Sequence, residues 1–555
     1  MVKAQIRPKI KLQITSQATS LTKAQGIFYK PGLLFLLWFL SLPALSGAEI
    51  QRPRSCGSLL SSLDNMRTGS EESQPLWARE HVSPKPLTLE LIRAVDQIPE
   101  FSDRRTRILI PIAAGASGLG VDALISKALH MKHGIEFHMW VNGIPLPIMD
   151  KVRGAGSKVK IVAHFLGPNM RKLYQDNLIE LVPGYLAQFA ARVKEHIPSY
   201  QFDVVLVRVS RPTKNNDLSL GATCDLTCTV LKQQPSVMII GEVNPLVPVT
   251  FVGKTDGIKT DGPPKKLNAI PITRFTALFP SDSKLAYPEV VPTTSVEESI
   301  GRHAASLIPN GSTIQLGIGN IFGGLPAGLR HYTRNNLRIW SEMMGDVLME
   351  VMKDKIATEA VIGFGFGSQA FYDWLNLNPQ VLMAPTAETN NTQRISKRPG
   401  FHAVNTALQV ALTGEVNATT GSPDRGRISS PGGQVEFLLG ASRSKNGKSI
   451  IVIRSTAMVT TATGSKMIST IVPRTYPVRD GSPSAFISHV VTEYGVAFIK
   501  GKSERERAIS LIRIAHPDFR NSLFSQAIDP TSPDRVPGLV ESDRAEALKS
   551  PGEEE

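Results

Sequence analysis

The sequence predicts an α/β protein built from two similar open α/β domains with mostly parallel sheets. Apolar runs of strand length alternate with amphipathic helical stretches along the chain, as in parallel sheets that are covered on both faces. A strand, a glycine-rich turn and a helix follow one another twice, at residues 106–129 and 312–329. The stretch IEFHMWVNG also resembles NLRIWSEMMG when Trp140 is aligned with Trp340. These observations together indicate a duplicated fold.

The length of 555 residues requires more than one hydrophobic core. Residues 1–85 form a basic and hydrophobic leader and linker, which we exclude from the fold. We expect an N-terminal domain at residues 86–252 and a C-terminal domain at residues 293–528. The Pro-, Gly- and Lys-rich residues 253–292 would connect them. The tail, residues 529–555, is rich in Pro, Ser and acidic residues and is predicted to be disordered.

The net charge of +14 does not indicate a nucleic-acid partner. Six of the basic residues lie within residues 1–48, and the others are spread along the chain without a dense basic block. The apolar run at residues 33–45 is shorter than a membrane span of about 20 residues. It fits a targeting segment or a translation start placed too far upstream. We therefore expect neither nucleic-acid binding nor stable membrane insertion of the mature domains.

Three cysteines, Cys56, Cys224 and Cys228, are too few for a disulfide framework and suggest a reducing compartment. Cys224 and Cys228 are separated by three residues but have no further Cys or His nearby to complete a zinc site. We expect both to be small buried apolar residues. No metal site is predicted.

Glu342, in the stretch NNLRIWSEMMGD, is the candidate functional residue. It is placed where a strand is predicted to end, and ligands of open α/β sheets bind beyond the carboxyl ends of strands. In one interpretation Ser341 caps a helix at residues 343–353 and Glu342 complements its dipole. In a second, the turn Gly317-x-Gly319 binds a dinucleotide and Glu342 binds its ribose. In a third, the carboxylate is a catalytic nucleophile.

Several segments follow one another in an informative order. In the second half they are IPNGSTIQLGIGNI, IWSEMMGDVLMEVM, AVNTALQVALTGEVNA, GGQVEFLLGAS and HVVTEYGVAFIKGKSERERAISLIRIAHPDFR, and weaker matches in the first half include LIELVPGYLAQFAARV and GEVNPLVP. Together they resemble the acetyl-CoA hydrolase/transferase family, class I CoA-transferases that include 4-hydroxybutyrate and succinyl-CoA:acetate CoA-transferases. The similarity is strongest over residues 295–528. It implies coenzyme A as a substrate and no permanently bound cofactor.

The resemblance implies site residues. Glu342 stands at the position of the family's catalytic glutamate, and only the second half carries this acid because Asn142 aligns with it in the first half. Backbone N–H groups of the active-site loop would be suited to an oxyanion hole. That loop contains Gly432, Gly433 and Gln434. The positions implied to bind substrate or CoA are Gly317, Gly319, Asn320, Asn405 and Glu493.

The implied reaction moves CoA from a short-chain acyl-CoA to a carboxylic acid through a glutamyl-CoA thioester. The alternatives are acyl-CoA (acetyl-CoA) hydrolysis on the same scaffold and a non-catalytic acyl-CoA-binding homologue. Val249 and Thr470 stand where family members carry arginine. Recognition of carboxylate or CoA phosphate by arginine at these two positions is therefore lost.

The expected location is the cytoplasm, because CoA is an intracellular substrate. The alternative is a mitochondrial or exported protein, if residues 1–48 act as a targeting segment. The stretches Asn390-Asn-Thr392 and Asn417-Ala-Thr419 are glycosylation sequons that matter only after export. The implied partners are acyl-CoA, a carboxylic acid and further copies of the chain in a homodimer or higher homo-oligomer.

Overall fold

Two β-sheets, each flanked by helices, organise the part of the chain that the structure describes. The computed structural model covers residues 88–551 apart from residues 141–145, 168–169, 254–265, 289–290, 422–425, 462–463 and 478–480. Predictions about residues 1–85 and about Asn142 lie outside the described residues. Among the described helices, none is both long enough and apolar enough to cross a membrane.

The first half supplies eleven described strands, seven of which form a sheet that is parallel throughout. Its strands are β1 (Thr106–Ile110), β2 (Ile135–Met139), β3 (Val159–Ala163), β4 (Ile179–Leu181), β5 (Val204–Val209), β6 (Asp217–Ser219), β7 (Met238–Val243), β8 (Phe251–Val252), β9 (Lys266–Leu267), β10 (Ala269–Pro271) and β11 (Ala277–Pro280). Its helices are α1 (Leu89–Asp96), α2 (Gly118–Ala128), α3 (Leu146–Ala155), α4 (Arg171–Gln175), α5 (Leu186–Lys194) and α6 (Thr227–Gln233). The strand order is β11-β7-β5-β1-β2-β3-β4.

The second half supplies thirteen described strands, eight of which belong to a ten-stranded sheet. Its strands are β12 (Thr313–Leu316), β13 (Leu337–Met344), β14 (Ala357–Gly365), β15 (Val381–Met383), β16 (Phe401–Thr406), β17 (Gln409–Ala411), β18 (Val416–Asn417), β19 (Lys448–Val452), β20 (Thr456–Thr461), β21 (Gly464–Ser469), β22 (Ile471–Val472), β23 (His489–Thr492) and β24 (Gly495–Phe498). Its helices are α7 (Ser295–Ser306), α8 (Leu325–His331), α9 (Asp346–Lys353), α10 (Gln369–Leu375), α11 (Thr386–Thr389), α12 (Thr392–Ser396), α13 (Gln434–Arg443), α14 (Glu504–Arg513), α15 (Pro517–Ile528) and α16 (Arg544–Leu548).

The two sheets repeat one topology, and the predicted α/β class with mostly parallel sheets is confirmed. The second sheet has the order β24-β23-β19-β16-β12-β13-β14-β15-β8-β9, with antiparallel pairing only at its two edges. In each sheet the first strand from its own half, β1 or β12, is central, the next strands extend to one side and the later strands extend to the other. Strands β8 and β9 are added to the second sheet at the edge beside β15. Strands β2 and β13 are therefore equivalent. Trp140 directly follows β2, and Trp340 lies in β13.

The predicted connection, residues 253–292, contributes strands to both sheets. Strand β9 lies at the edge of the second sheet, where it pairs antiparallel with β8. Strand β11 completes the first sheet by pairing parallel with β7. The chain thus passes from one sheet to the other within this segment, and the exact division into domains stays a prediction.

The prediction of a disordered tail is wrong for residues 529–551. Val536, Leu539 and Ala547 are buried in the same apolar cluster as helices α14 and α15. The Arg505 guanidinium also donates to the Asp543 carboxylate at 2.9 Å. A few spaced apolar residues pack this segment against the rest of the fold. The prediction was wrong because it rested on the average composition of the tail, which is polar.

The expectation of two unpaired cysteines is also wrong. Cys224 and Cys228 form a disulfide, with their Cα atoms 5.0 Å apart. The Cys228 N–H donates to the Cys224 carbonyl at 2.8 Å, so one turn of chain at the start of α6 brings both thiols together. The prediction considered only the number and spacing of the cysteines. The local helical turn, which brings the two thiols together, determines their pairing.

Leu539 provides a test of the folded tail. The Leu539 side chain is 2% exposed, while the neighbouring Val540 side chain is 50% exposed. We expect Leu539→Ala to lower the free energy of unfolding by about 2–4 kcal/mol, because it removes buried methyl groups and leaves a cavity. Val540→Ala, the matched control, should change it by less than about 0.5 kcal/mol. Urea denaturation checks both, and equal stabilities of the two variants would contradict the packed tail.

Candidate active site

Glu342 lies inside strand β13 and not at the start of a helix. The strand continues to Met344 along the neighbouring β14, and helix α9 begins only at Asp346. The Ser341 hydroxyl donates to the Leu316 carbonyl on β12 at 3.3 Å. The predicted helix start directly after Glu342, with Ser341 as its cap, is therefore wrong. Pairing with β14 keeps this stretch extended, and such pairing is invisible in the local sequence.

Two hydrogen-bond donors face the Glu342 carboxylate. The Asn390 side-chain amide donates to Glu342 Oε2 over 2.7 Å, and the backbone N–H of Gly433 donates as well. Burial nevertheless raises the pKa of Glu342 to about 7, against the lowering by the two donors. The carboxyl group therefore changes its charge in the neutral range of pH.

The glycine loop at the start of α13 is pressed against this carboxylate. A Cβ atom on Gly433 would lie 2.1 Å from Glu342 Oε2 and 2.2 Å from Asn390 Nδ2. Gly432 has a φ of +54°, and a Cβ there would lie 3.3 Å from the Phe165 ring. Glycine is required at Gly433 because any side chain would fill the space of the two polar groups. The structure thus brings the predicted loop and Glu342 together.

Gln434, the third predicted loop residue, begins helix α13. Its side-chain Nε2 is buried and has no hydrogen-bond partner among the described residues. A buried amide donor without a partner is costly. Gln434 therefore keeps a donor that a bound polar group would satisfy.

Two site residues were missed from the sequence, Asn390 and Glu436. Asn390 Nδ2 also donates to Glu436 Oε2 over 3.0 Å. Glu436 Oε1 accepts the backbone N–H of Ala187, in the first turn of α5, over 3.1 Å. Burial, and secondarily the negative charge of Glu342, raise the pKa of Glu436 to about 8. Two carboxyl groups thus share one amide.

Signals for both missed residues were present. Asn390 follows strand β15 after one short helix, and polar residues beyond parallel strand ends gather at one edge of a sheet. Glu436 lies two residues after Gln434, in the same segment GGQVEFLLGAS. Both Asn390 and Asn417 are buried. Neither sequon is therefore accessible for glycosylation in this fold.

The predicted glycine turn and Asn405 form a second group at the carboxyl ends of β12 and β16. Asn405 Nδ2 donates to Gln315 Oε1 at 2.9 Å, and a Cβ on Gly317 would lie 3.1 Å from Asn405 Oδ1. Gly319 has a φ of +139°, and both it and Asn320 are exposed. The strand order reverses between these two strands, which is where open α/β sheets bind ligands.

Glu493 follows strand β23, so it also lies beyond a carboxyl end. Its carboxylate accepts the backbone N–H and the hydroxyl of Ser455 at 2.9 and 2.5 Å. These contacts tie Glu493 to Ser455 and do not join it to Glu342. Within the described ranges, no group of three or more His, Cys, Asp or Glu side chains is placed to hold a metal ion.

Known proteins resemble this chain over both halves. The sequence profile of the acetyl-CoA hydrolase/transferase C-terminal domain matches residues 367–527. The 4-hydroxybutyrate coenzyme A transferase of Clostridium kluyveri is 32% identical over 375 residues, which are 66% of this chain and 81% of that protein. The acetyl-CoA hydrolase of Kluyveromyces lactis is 23% identical over 451 residues, which are 73% and 84% of the two chains.

A solved structure agrees with these sequence matches. The 4-hydroxybutyrate CoA-transferase of Porphyromonas gingivalis superposes with a TM-score of 0.58 at 27% identity. The superposition covers 79% of this chain and 96% of that one. The resemblance drawn from the quoted segments is thus confirmed, and the chain belongs to the acetyl-CoA hydrolase/transferase family.

Proposed function

We propose that this chain is a CoA-transferase that moves CoA from a short-chain acyl-CoA to a carboxylic acid, with Glu342 as the nucleophile. The observation that carries the proposal is the Glu342 carboxylate held between the Asn390 amide and the Gly433 N–H. A carboxylate withdrawn from water is a stronger nucleophile than a solvated one. The two fixed donors keep it in one orientation for attack.

The reaction proceeds in four displacements. Glu342 attacks the thioester carbonyl of acyl-CoA, and CoA leaves as a thiolate from a mixed anhydride. The thiolate attacks the glutamyl carbonyl and releases the first carboxylate, which leaves a glutamyl-CoA thioester. The acceptor carboxylate attacks that thioester and expels the thiolate again. The thiolate then attacks the new acyl group, which yields the second acyl-CoA and restores the Glu342 carboxylate.

The donors that orient Glu342 also serve these displacements. Two of them form a tetrahedral oxyanion on the glutamyl carbon, whose oxygens remain beside the Asn390 amide and the Gly433 N–H. Donors fixed where negative charge develops lower the barrier, and losing one costs about 10²–10³ in rate. The unpaired Gln434 amide supplies a further donor for the bound substrates.

Transfer is favoured over hydrolysis by the relatives. The matching 4-hydroxybutyrate coenzyme A transferase is 32% identical, whereas the matching acetyl-CoA hydrolase is 23% identical. The two activities differ in whether an acid or water takes the acyl or CoA group from the enzyme. Formation of a second acyl-CoA from acetyl-CoA and an added carboxylic acid, without release of free CoA thiol, supports transfer. Release of free CoA thiol from acetyl-CoA without an added acid would assign hydrolysis instead.

Glu342→Gln tests the nucleophile. We expect the wild-type protein, incubated with acetyl-CoA and then reduced with borohydride, to carry a mass change on the peptide that contains Glu342. In Glu342→Gln the change should be absent and CoA transfer should fall by about 10³-fold or more, because an amide cannot form the thioester. Glu359→Gln, at the opposite end of the neighbouring strand β14, is the control and should retain both. Full activity of Glu342→Gln would defeat the assignment.

Gly433→Ala tests the close approach of the loop. The added methyl would overlap the Glu342 carboxylate and the Asn390 amide. We expect kcat to fall by about 100-fold or more, because a misplacement of about 1 Å has an effect of this size. Gly154→Ala is the matched control, since a Cβ there meets nothing within 4 Å. Steady-state kinetics check both, and a wild-type kcat in Gly433→Ala would contradict the geometry.

The pKa of Glu342 predicts a pH dependence. Because attack needs the carboxylate and its pKa is about 7, kcat/KM should fall about tenfold per pH unit below pH 7 and level off above it. The raised pKa thus removes activity as the pH falls. A profile of kcat/KM from about pH 5 to 9 measures this limb. Activity that stays constant down to about pH 5, as for a carboxyl with an ordinary pKa, would refute the prediction.

A further inference from the structure

We infer that Glu436 is a positioning residue, which fixes the Asn390 amide so that its other N–H points at Glu342. This inference rests on the proposed function, because it gives Glu436 a role in presenting the nucleophile. Glu436 itself acts through Asn390 and not on the substrate. Hydrogen-bond geometry, burial and the place of Glu436 between the two sheets support this role.

The Asn390 amide has no freedom left in this arrangement. Its single nitrogen carries two hydrogens, which are directed to Glu342 Oε2 at 2.7 Å and to Glu436 Oε2 at 3.0 Å. Its oxygen accepts the Thr389 hydroxyl at 2.9 Å. A flipped amide would turn its oxygen toward two carboxyl groups and its nitrogen toward a donor. The orientation of Asn390 is therefore decided by its partners.

Without Glu436, the Asn390 amide nitrogen loses one of its two hydrogen-bond acceptors. One N–H of Asn390 would then be buried without a partner, which is unfavourable. Rotation of the side chain would relieve that cost and would weaken the hydrogen bond to Glu342. Glu436 thus makes the productive orientation the one that satisfies every polar group.

Glu436 is held from the opposite side by the first half of the chain. Its Oε1 accepts the Ala187 N–H, one of the N–H groups that the first turn of α5 leaves without a helical partner. Its side chain is 7% exposed, so water does not replace these contacts. Glu436 therefore connects a helix of the first sheet to the nucleophile on the second.

The charge of the pair is consistent with this role. The half-buried Glu342 and the buried Glu436 share one amide, and their carboxylates would repel each other if both were ionised. The pKa of Glu436, raised to about 8 by burial and by Glu342, keeps Glu436 largely protonated at neutral pH. Glu342, whose pKa is raised only to about 7, is therefore the first of the two to lose its proton as the pH rises.

Single-turnover formation of the CoA adduct on Glu342 tests the inference, with acetyl-CoA as the probe. In Glu436→Ala we expect the maximal rate to fall by about 10- to 100-fold, with a half-saturating acetyl-CoA concentration within about threefold of wild type. Glu436→Gln keeps one of the two acceptor oxygens and should lie between Glu436→Ala and wild type. Glu359→Gln is the control at an unrelated half-buried glutamate and should leave the rate unchanged.

A double-mutant cycle separates positioning from a general structural role. If Glu436 acts through Asn390, then Glu436→Ala combined with Asn390→Ala should be no slower than Asn390→Ala alone. If the two losses multiply instead, Glu436 has an independent role and the inference is overturned. A wild-type rate in Glu436→Ala overturns it as well.

Folding and function are kept apart by two readouts. Circular dichroism and thermal unfolding establish whether each variant is folded. If Glu436→Ala does not fold, Glu436→Gln takes its place, both alone and combined with Asn390→Ala. The same criteria then apply. An adduct in wild type with an equal rate in the Glu436 variants refutes only this inference. No adduct in wild type refutes the proposed function, and the positioning role falls with it.

Discussion

The arrangement around Glu342 follows from one constraint, which is that a carboxylate must be buried and still able to ionise. Removal of a charge from water is unfavourable unless donors replace the lost hydration. The Asn390 amide and the Gly433 N–H supply this replacement. Gly433 needs to be glycine so that its backbone comes this close, and Asn390 needs Glu436 to hold it. Glu342 thus requires Gly433 and Asn390, and Asn390 in turn requires Glu436.

The same constraint explains why both sheets border the site. On β14, the strand beside Glu342, the Cys224 N–H donates to the Gly363 carbonyl at 3.1 Å, and the Gly365 N–H donates to the Ala222 carbonyl at 2.7 Å. Residues from the first half therefore extend the hydrogen bonding at the carboxyl end of β14. Phe165 covers the loop at Gly432 from the same half. The first sheet closes the surroundings of the acid that the second sheet carries.

Features encoded by local patterns could be predicted from the sequence. The apolar runs with their glycine turns gave the parallel strands and the repeated fold, and the ordered segments located Glu342 and the glycine loop. Features that depend on distant pairing could not be predicted. The extension of β13 past Glu342 depends on β14, and the burial of Leu539 depends on helices that precede it in the chain. The partnership of Asn390 with Glu436 joins residues 46 positions apart, and no local pattern marks it.

The contact between Glu436 and the Ala187 N–H has a consequence for how such a chain can evolve. The two halves share one topology, and the carboxylate that we propose to react lies in the second half. Under this proposal the first half supports the site, and the Ala187 N–H in the first turn of α5 is one of its contacts there. A substitution that shifts this helix would then be inherited as a change in turnover, and selection on turnover would act on both halves together.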